Sequence, residues 1–133
     1  STPRPSAFAA TIDGQVLPCQ TPPWSHLTAV DTTSGEIAWR IPVGVSESLP
    51  AEKQNTGRPG RASALVTASD LLFIAATDDN RLRALRASTG EMLWEDSLEQ
   101  RGNANPMTFL DSAGNQRIAI SATDELIVYG LRD

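Results

Sequence analysis

Hydrophobic residues occur along this chain in short runs, separated by clusters of Gly, Pro, Asp, Asn and Ser. No segment combines a sustained helical apolar period with capping residues at both ends, so the pattern does not predict helices. The first runs, in AFAATIDGQVLPC, predict a hairpin that turns at Asp13-Gly14, because this dipeptide tolerates the positive φ angles of a tight turn. The pattern as a whole predicts an all-β protein.

The next runs, LTAVD and EIAWRIPV, predict two strands joined by a turn at residues 32–35. Residues 44–63 are rich in Pro, Gly and polar side chains and predict a long loop, which in a compact domain is usually functional or disordered. Closely spaced runs then predict an up-and-down four-stranded sheet: ALVTA, LLFIAA, RLRAL and EMLWEDSL. The last runs predict three further strands: MTFL, QRIAIS and ELIVYGL.

Two internal repeats explain this order of strands. AVDTTSGEIAW, which ends at Trp39, returns 55 residues later as ALRASTGEMLW, which ends at Trp94, and IAATDDNRLRAL resembles ISATDELIVYGL. Repeats of this length with four strands each are typical of propeller blades, which must stack on a neighbour to bury their faces. Each Trp is expected to lie across the turn of the next blade and to donate its indole N–H to a carbonyl there.

The predicted fold is therefore a partial β-propeller of about two to three four-stranded antiparallel blades. We predict the end of one blade at residues 1–43, a loop at 44–61, one full blade at 62–98 and the last blade at 99–133. A third interpretation, a small β-sandwich with a binding role, fits the number of strands but does not explain the repeat.

Charge and composition argue against several classes of function. The net charge of −5 gives no electrostatic basis for binding nucleic acid or an anionic membrane. No apolar run is long enough for a membrane span. The one cysteine, Cys19, excludes a disulfide within the chain and is expected to be partly buried.

The Trp repeat resembles the tryptophan-docking motif of the eight-bladed propellers that use pyrroloquinoline quinone (PQQ). The first copy departs from that motif at Ser34, and the second has Arg86 in place of Asp, which removes the carboxylate expected to hold the N–H groups of the turn. Further segments resemble the C-terminal part of glucose-dehydrogenase-like quinoproteins: LPCQTPPW, ESLPAEKQNTGRPGRA, LLFIAATDDNRLRAL and RGNANPMTF.

This resemblance implies a periplasmic bacterial dehydrogenase that oxidises sugar or alcohol hydroxyls with PQQ and Ca²⁺ and passes electrons to ubiquinone or a cytochrome. The family's catalytic Asp and main metal ligands lie upstream of the matched region, so we expect a fragment that is not catalytic on its own. Its partners would be the remaining blades of a longer parent. Self-association is also expected, because an open ring exposes apolar faces and strand edges.

The resemblance also indicates three cofactor-binding candidates. Arg58 and Arg61, in TGRPGRA, suit the three carboxylates of PQQ because Arg binds a carboxylate with two parallel hydrogen bonds. Asn105, in NANPM, precedes the predicted inner strand of the last blade and is expected near the central channel. Structural roles stay open for all three: a solvated or structural Arg in the first two cases, and a turn residue before proline in the third.

Other polar groups carry weaker functional signals. Asp78-Asp79 and Asp124-Glu125 lie in predicted tight turns, where carboxylates commonly cap backbone N–H groups, and His26 has no second His for a metal site. The alternative function is a non-enzymatic scaffold built from PQQ-like repeats, which binds proteins. RGNANPMTF and GRPGRA distinguish the two, because a scaffold needs the Trp motif alone.

Overall fold

The computed structural model of the protein describes residues 8–102 and 104–130. In these ranges it contains eleven strands and one turn of 3₁₀ helix at Ala51–Lys53. The strands are β1 (Ala9–Ile12), β2 (Gln15–Pro18), β3 (His26–Val30), β4 (Ile37–Pro42), β5 (Leu65–Val66), β6 (Leu71–Ile74), β7 (Arg81–Arg86), β8 (Met92–Ser97), β9 (Met107–Leu110), β10 (Gln116–Ala122) and β11 (Glu125–Gly130).

The strands form four separate antiparallel sheets, in the orders β1-β2, β3-β4, β5-β6-β7-β8 and β9-β10-β11. The predicted all-β class and the predicted up-and-down four-stranded sheet are confirmed. Between β4 and β5 the chain forms the predicted long loop, which holds the 3₁₀ turn and a single bridge from Gly60 to Thr77. The predicted division of the chain into blades stays a prediction.

The first hairpin turns where the sequence predicts. Asp13 and Gly14 both have positive φ, 47° and 79°, between the paired strands β1 and β2. The Cys19 side chain that follows β2 is exposed, so the expectation that it is partly buried is wrong. The reason is that the hairpin pairs with no other sheet in residues 8–102 and 104–130, and most of its residues face solvent.

The four-stranded sheet is the middle layer of three stacked sheets. On one side a buried cluster joins Leu82 and Leu98 to Ile120 of β10. On the other side Leu72, Ile74 and Leu85 pack with partly buried Leu27, Trp39 and Ile41 of the β3–β4 sheet. Strand β7 supplies Leu82 to one cluster and Leu85 to the other, so it is buried on both faces, as expected for a sheet between two neighbours.

The two copies of the Trp repeat form the same hairpin. Trp39 lies opposite Ala29 and Trp94 lies opposite Ala84, and in both pairs the register shifts directly after the alanine. The glycines of the two turns, Gly35 and Gly90, have φ values of 77° and 75°, a region in which residues with a Cβ are strained. The sequence repeat is therefore a repeat of structure.

The two tryptophans of the repeat, Trp39 and Trp94, each contact the next sheet, but in different ways. Trp39 Nε1 donates a hydrogen bond to Ala87 O (2.9 Å), in the turn of the second copy. A Cβ added to Gly90 would lie 2.8 Å from the Trp39 ring. Trp94 instead meets Tyr129 of β11 edge-on, with ring centroids 5.4 Å apart and planes at 72°, and it stays 41% exposed.

The two repeat turns are held by carboxylates from different places. In the first copy, Asp31 Oδ1 accepts the Thr33 N–H (2.7 Å), and bonds of this kind lower the pKa of Asp31. In the second copy the missing carboxylate is replaced from outside the repeat. Asp70, in the turn between β5 and β6, accepts both the N–H (2.8 Å) and the hydroxyl (2.7 Å) of Ser88.

Tyr129, the only tyrosine in the sequence, allows a direct test of the contact between the last two sheets. Its hydroxyl donates to Asp96 Oδ2 (2.9 Å). Burial and then the Asp96 carboxylate raise the pKa of Tyr129 to about 12. The unfolded chain releases this proton near pH ~10, so the contribution to stability is complete below that pH and is lost as the pH rises through the pKa of the folded state.

We expect the tyrosinate absorbance of the native protein to appear about two pH units above that of the urea-unfolded protein. The Asp96→Asn variant should shift the native titration toward the unfolded one, because the substitution removes the carboxylate. Coincident titration curves for native and unfolded wild-type protein would show that the Tyr129 contact is absent.

Candidate functional site

The candidate site begins at the end of the long loop, where Arg58 enters the interior. Arg58 is 5% exposed, and it donates two hydrogen bonds to Asp78: Nε to Oδ1 (2.7 Å) and Nη2 to Oδ2 (2.9 Å). Its third nitrogen, Nη1, is buried and has no hydrogen-bond partner among the described residues. The Nε and Nη2 nitrogens of Arg58 therefore have a structural role, and Nη1 is the one nitrogen of the guanidinium left without a described partner.

Backbone hydrogen bonds extend the contact between the end of the loop and residues 76–78 as far as Arg61. Asp78 N donates to Pro59 O (3.1 Å), and Arg61 N donates to Ala76 O (3.0 Å), on either side of the bridge between Gly60 and Thr77. A Cβ on Gly60 would lie 2.8 Å from Ala76 O, so the close approach requires glycine. The Arg61 residue itself is exposed. The loop thus ends with a fixed backbone and a solvent-facing cation.

Asn105 reaches the same region from the last sheet. Its Oδ1 accepts the N–H of Ser63 (2.8 Å), which links the segment before β9 to the segment before β5. Asn105 is exposed, as is Arg61, which lies two residues before Ser63. The structure therefore brings Arg61 and Asn105 into one region, at the start of the first strand of two neighbouring sheets. Arg58, three residues before Arg61, is buried inside the protein.

The other end of the long loop is held by Asp79. Asp79 Oδ2 accepts the N–H of Val45 (2.8 Å), and its Oδ1 accepts the hydroxyl of Thr77 (2.6 Å). The carboxylate also pairs with Arg83, whose side chain is 2% exposed. Burial disfavours the charged form of Asp79, but the hydrogen bond and charge of Arg83, together with the hydrogen bonds from Thr77 and Val45, outweigh it, so the pKa of Asp79 is lowered. Asp79 is therefore ionised at neutral pH.

Arg83 is part of a longer alternation of charges. Its Nε lies 2.9 Å from Glu95 Oε2, and Glu95 also pairs with Arg81, which in turn pairs with Glu47 of the long loop. These pairs tie the loop to β7 and β8. Sequence reasoning missed this role because it treated Asp78-Asp79 as caps of their own turn. The alternation in RLRAL, which places Arg81 and Arg83 on one face of a strand, was the available signal.

The remaining candidates do not join this site. Asp124 lies in the turn between β10 and β11 and is exposed, Glu125 begins β11, and His26 begins β3 and is exposed. Within residues 8–102 and 104–130, no group of three or more His, Cys, Asp or Glu side chains could hold a metal ion. In the same residues, no helix is both long and apolar enough to span a membrane.

Comparison with known proteins places the chain in a family. The family described as "PQQ: Glucose/ethanol/alcohol dehydrogenase, beta-propeller domain" matches residues 1–118. The chain is 36% identical to the quinoprotein glucose dehydrogenase of Escherichia coli, over 88% of this chain and 17% of that protein. It is 35% identical to the glycerol dehydrogenase large subunit of Gluconobacter oxydans, over 86% of this chain and 18% of that protein.

Solved structures agree with this assignment. A europium-containing methanol dehydrogenase aligns with a TM-score of 0.55 and 26% identity, over 71% of this chain and 14% of its own. A quinohemoprotein alcohol dehydrogenase from Pseudomonas putida HK5 aligns with a TM-score of 0.53 and 28% identity, over 76% of this chain and 13% of its own. The chain thus spans less than a fifth of the length of these relatives. It belongs to the PQQ-type β-propeller family of glucose, ethanol and alcohol dehydrogenases.

Proposed function

We propose that this chain supplies part of the channel wall that holds PQQ in a dehydrogenase oxidising sugar or alcohol hydroxyls. Relatives named as glucose and glycerol dehydrogenases support the reaction class. The observation that carries the proposal is the hydrogen bond from Ser63 N to Asn105 Oδ1, which gathers Arg61 and Asn105 where two neighbouring sheets begin. The Arg61 guanidinium and the Asn105 amide, at the start of the first strands of adjacent blades, suit a polar ligand in the central channel.

The residues present fit an anionic cofactor. PQQ carries three carboxylates, and the exposed guanidinium of Arg61 matches one with two parallel hydrogen bonds. Asn105 Oδ1 accepts the N–H of Ser63, and the amide N–H groups of Asn105, which donate to none of the described residues, can donate to a ligand. Arg58, the third candidate, is buried in its pair with Asp78 and supports the loop that carries Arg61. When bound, PQQ accepts the electrons of the oxidised hydroxyl.

The chain's role in this reaction is to bind and orient. We propose that the catalytic base and the principal Ca²⁺ ligands come from other blades of a longer parent, in which case this chain alone does not turn over substrate. The parent would work in the periplasm, as the family resemblance implies. The repeated Trp contacts would fasten its neighbouring blades, with Trp39 as the example in this chain. Self-association of the isolated chain stays a prediction.

A titration of the 133-residue protein with PQQ tests the proposal. We expect saturable binding that weakens about tenfold in Arg61→Ala, because one charged, two-bonded contact is lost, and less in Asn105→Ala. Arg40→Ala is the matched control, since Arg40 is an exposed arginine on β4, and its affinity should stay within about twofold of wild type.

Two results would count against the proposal. Absence of PQQ binding, or equal affinity in wild type and Arg61→Ala, would count against the cofactor role of Arg61. Oxidation of glucose by the isolated chain with PQQ and Ca²⁺ would instead show that the catalytic base lies within these residues.

A further inference from the structure

We propose that Asp78 is a positioning residue for Arg61, acting through its ion pair with Arg58. This role rests on the proposed function, which assigns Arg61 to the cofactor. It concerns the end of the long loop, residues 57–61, and the strip of chain that faces it, residues 76–78. Asp78 does not touch the proposed ligand region itself; its carboxylate is occupied by the buried guanidinium of Arg58.

The geometry of residues 57–61 leaves little freedom once Arg58 is paired. On one side, a Cβ on Gly57 would lie 2.3 Å from Ser25 O, so the backbone is pressed against that residue. On the other side, a Cβ on Gly44 would lie 2.5 Å from the Arg58 Cβ. Glycines at both places permit the approach, and the ion pair with Asp78 then holds the segment there.

The charge of Arg58 makes this attachment strong. The Arg58 side chain is 6% exposed and the Asp78 side chain 23%, so the guanidinium has left water almost completely. A buried charge whose partner is removed is strongly disfavoured, and the long side chain would turn back toward solvent. Because Arg58 stands three residues before Arg61, that movement would pull the bonded strip away from Ala76 and Asp78.

The two adjacent carboxylates therefore have separate tasks. Asp79 holds the start of the long loop through Val45 N and is itself neutralised by Arg83. Asp78 holds the end of the loop through Arg58, together with its own N–H bond to Pro59 O. A binding group must keep its position to well within an ångström to be effective, so the end that carries Arg61 is the one on which ligand affinity depends.

Hydrogen exchange of backbone amides in the full chain tests this role without any cofactor. In Asp78→Asn we expect the Arg58 and Arg61 amides, which donate to Val43 O and Ala76 O, to exchange about tenfold faster than in wild type. The Gly90 amide, which donates to Arg86 O in a distant turn, should keep its wild-type rate. Local loosening of this kind separates positioning from a general loss of stability.

Two further variants sharpen the result. Arg58→Lys keeps the charge but cannot form two parallel bonds, so its exchange rates should lie between those of wild type and Asp78→Asn. Glu91→Gln breaks the exposed Arg86–Glu91 pair, far from the loop, and should leave the Arg61 amide unchanged. Unchanged exchange in Asp78→Asn and Arg58→Lys, or equal acceleration at Arg61 and Gly90, would overturn the inference.

The outcome is separable from that of the proposed function. Local loosening in Asp78→Asn with weaker PQQ binding would support both. Local loosening in a protein that binds no PQQ would establish that Asp78 orders the Arg61 segment, while removing the cofactor role of Arg61. Local loosening with PQQ affinity unchanged from wild type would reject Asp78 as a positioning residue, even if Arg61→Ala weakens binding.

Discussion

Replacing Gly90 with alanine is expected to destabilise the folded protein by about 3 kcal/mol, measured as the loss in free energy of unfolding by urea. Two effects add. Gly90 has φ of 75°, where an alanine is strained by about 1 kcal/mol. The added Cβ would also lie 2.8–2.9 Å from carbon atoms of the Trp39 ring, which would have to move and weaken its hydrogen bond to Ala87 O.

The first copy of the repeat provides a matched control. Gly35 occupies the same turn position with φ of 77°, but nothing lies within 4 Å of a Cβ added there. The Gly35→Ala variant should therefore show the conformational strain alone, about 1 kcal/mol. The difference between the two variants isolates the contact between Trp39 and the neighbouring sheet. Equal losses in both variants would mean that Trp39 does not pack on Gly90 in solution.

Local features of this fold were readable from the sequence. Asp13-Gly14 forms the predicted hairpin because a tight turn needs positive φ and these two residues tolerate it. The two Trp repeats form equal hairpins because the spacing of Ala, Gly and Trp sets both the turn and the register of the strands. Such features depend on residues only a few positions apart, so they can be predicted from a short stretch of sequence.

Contacts between distant segments were not readable in the same way. Asp70 replaces the carboxylate that the second repeat lacks, but only the folding of the β5–β6 turn beside Ser88 reveals it. The family resemblance makes Arg58 a cofactor-binding candidate and leaves a structural role open, and the structure adds a buried pair with Asp78 that no local pattern indicates. Partner choice among eleven basic and sixteen acidic residues is decided by which elements the fold brings together.

Arg83 is expected to be the most sensitive charged position of the chain. Replacing it with methionine, which is similar in length and apolar, should lower the free energy of unfolding by about 3–5 kcal/mol at neutral pH. The reason is that Asp79, whose side chain is 4% exposed, would stay in the interior without its cation. Glu95 would lose one of its two arginine partners as well.

The pH dependence identifies the mechanism. In wild type the lowered pKa of Asp79 stabilises the fold above the ordinary carboxyl pKa, and this contribution is lost as the pH falls through the pKa of the folded state. In Arg83→Met, only the hydrogen bonds from Thr77 and Val45 oppose the effect of burial, so the pKa of Asp79 should rise above its wild-type value and protonation should relieve the penalty. The difference in stability between wild type and variant should therefore shrink as the pH is lowered from about 7 to about 4.

A second arginine on the same strand supplies the control. Arg86 ends β7, and its pair with Glu91 is solvent-exposed, with side-chain exposures of 45% and 61%. Because water screens such a pair, Arg86→Met should change stability by less than about 1 kcal/mol and show little dependence on pH. A loss in Arg83→Met no larger than that in Arg86→Met would mean that Asp79 and Arg83 are accessible to water, and that the loop between β4 and β5 is not held by a buried ion pair.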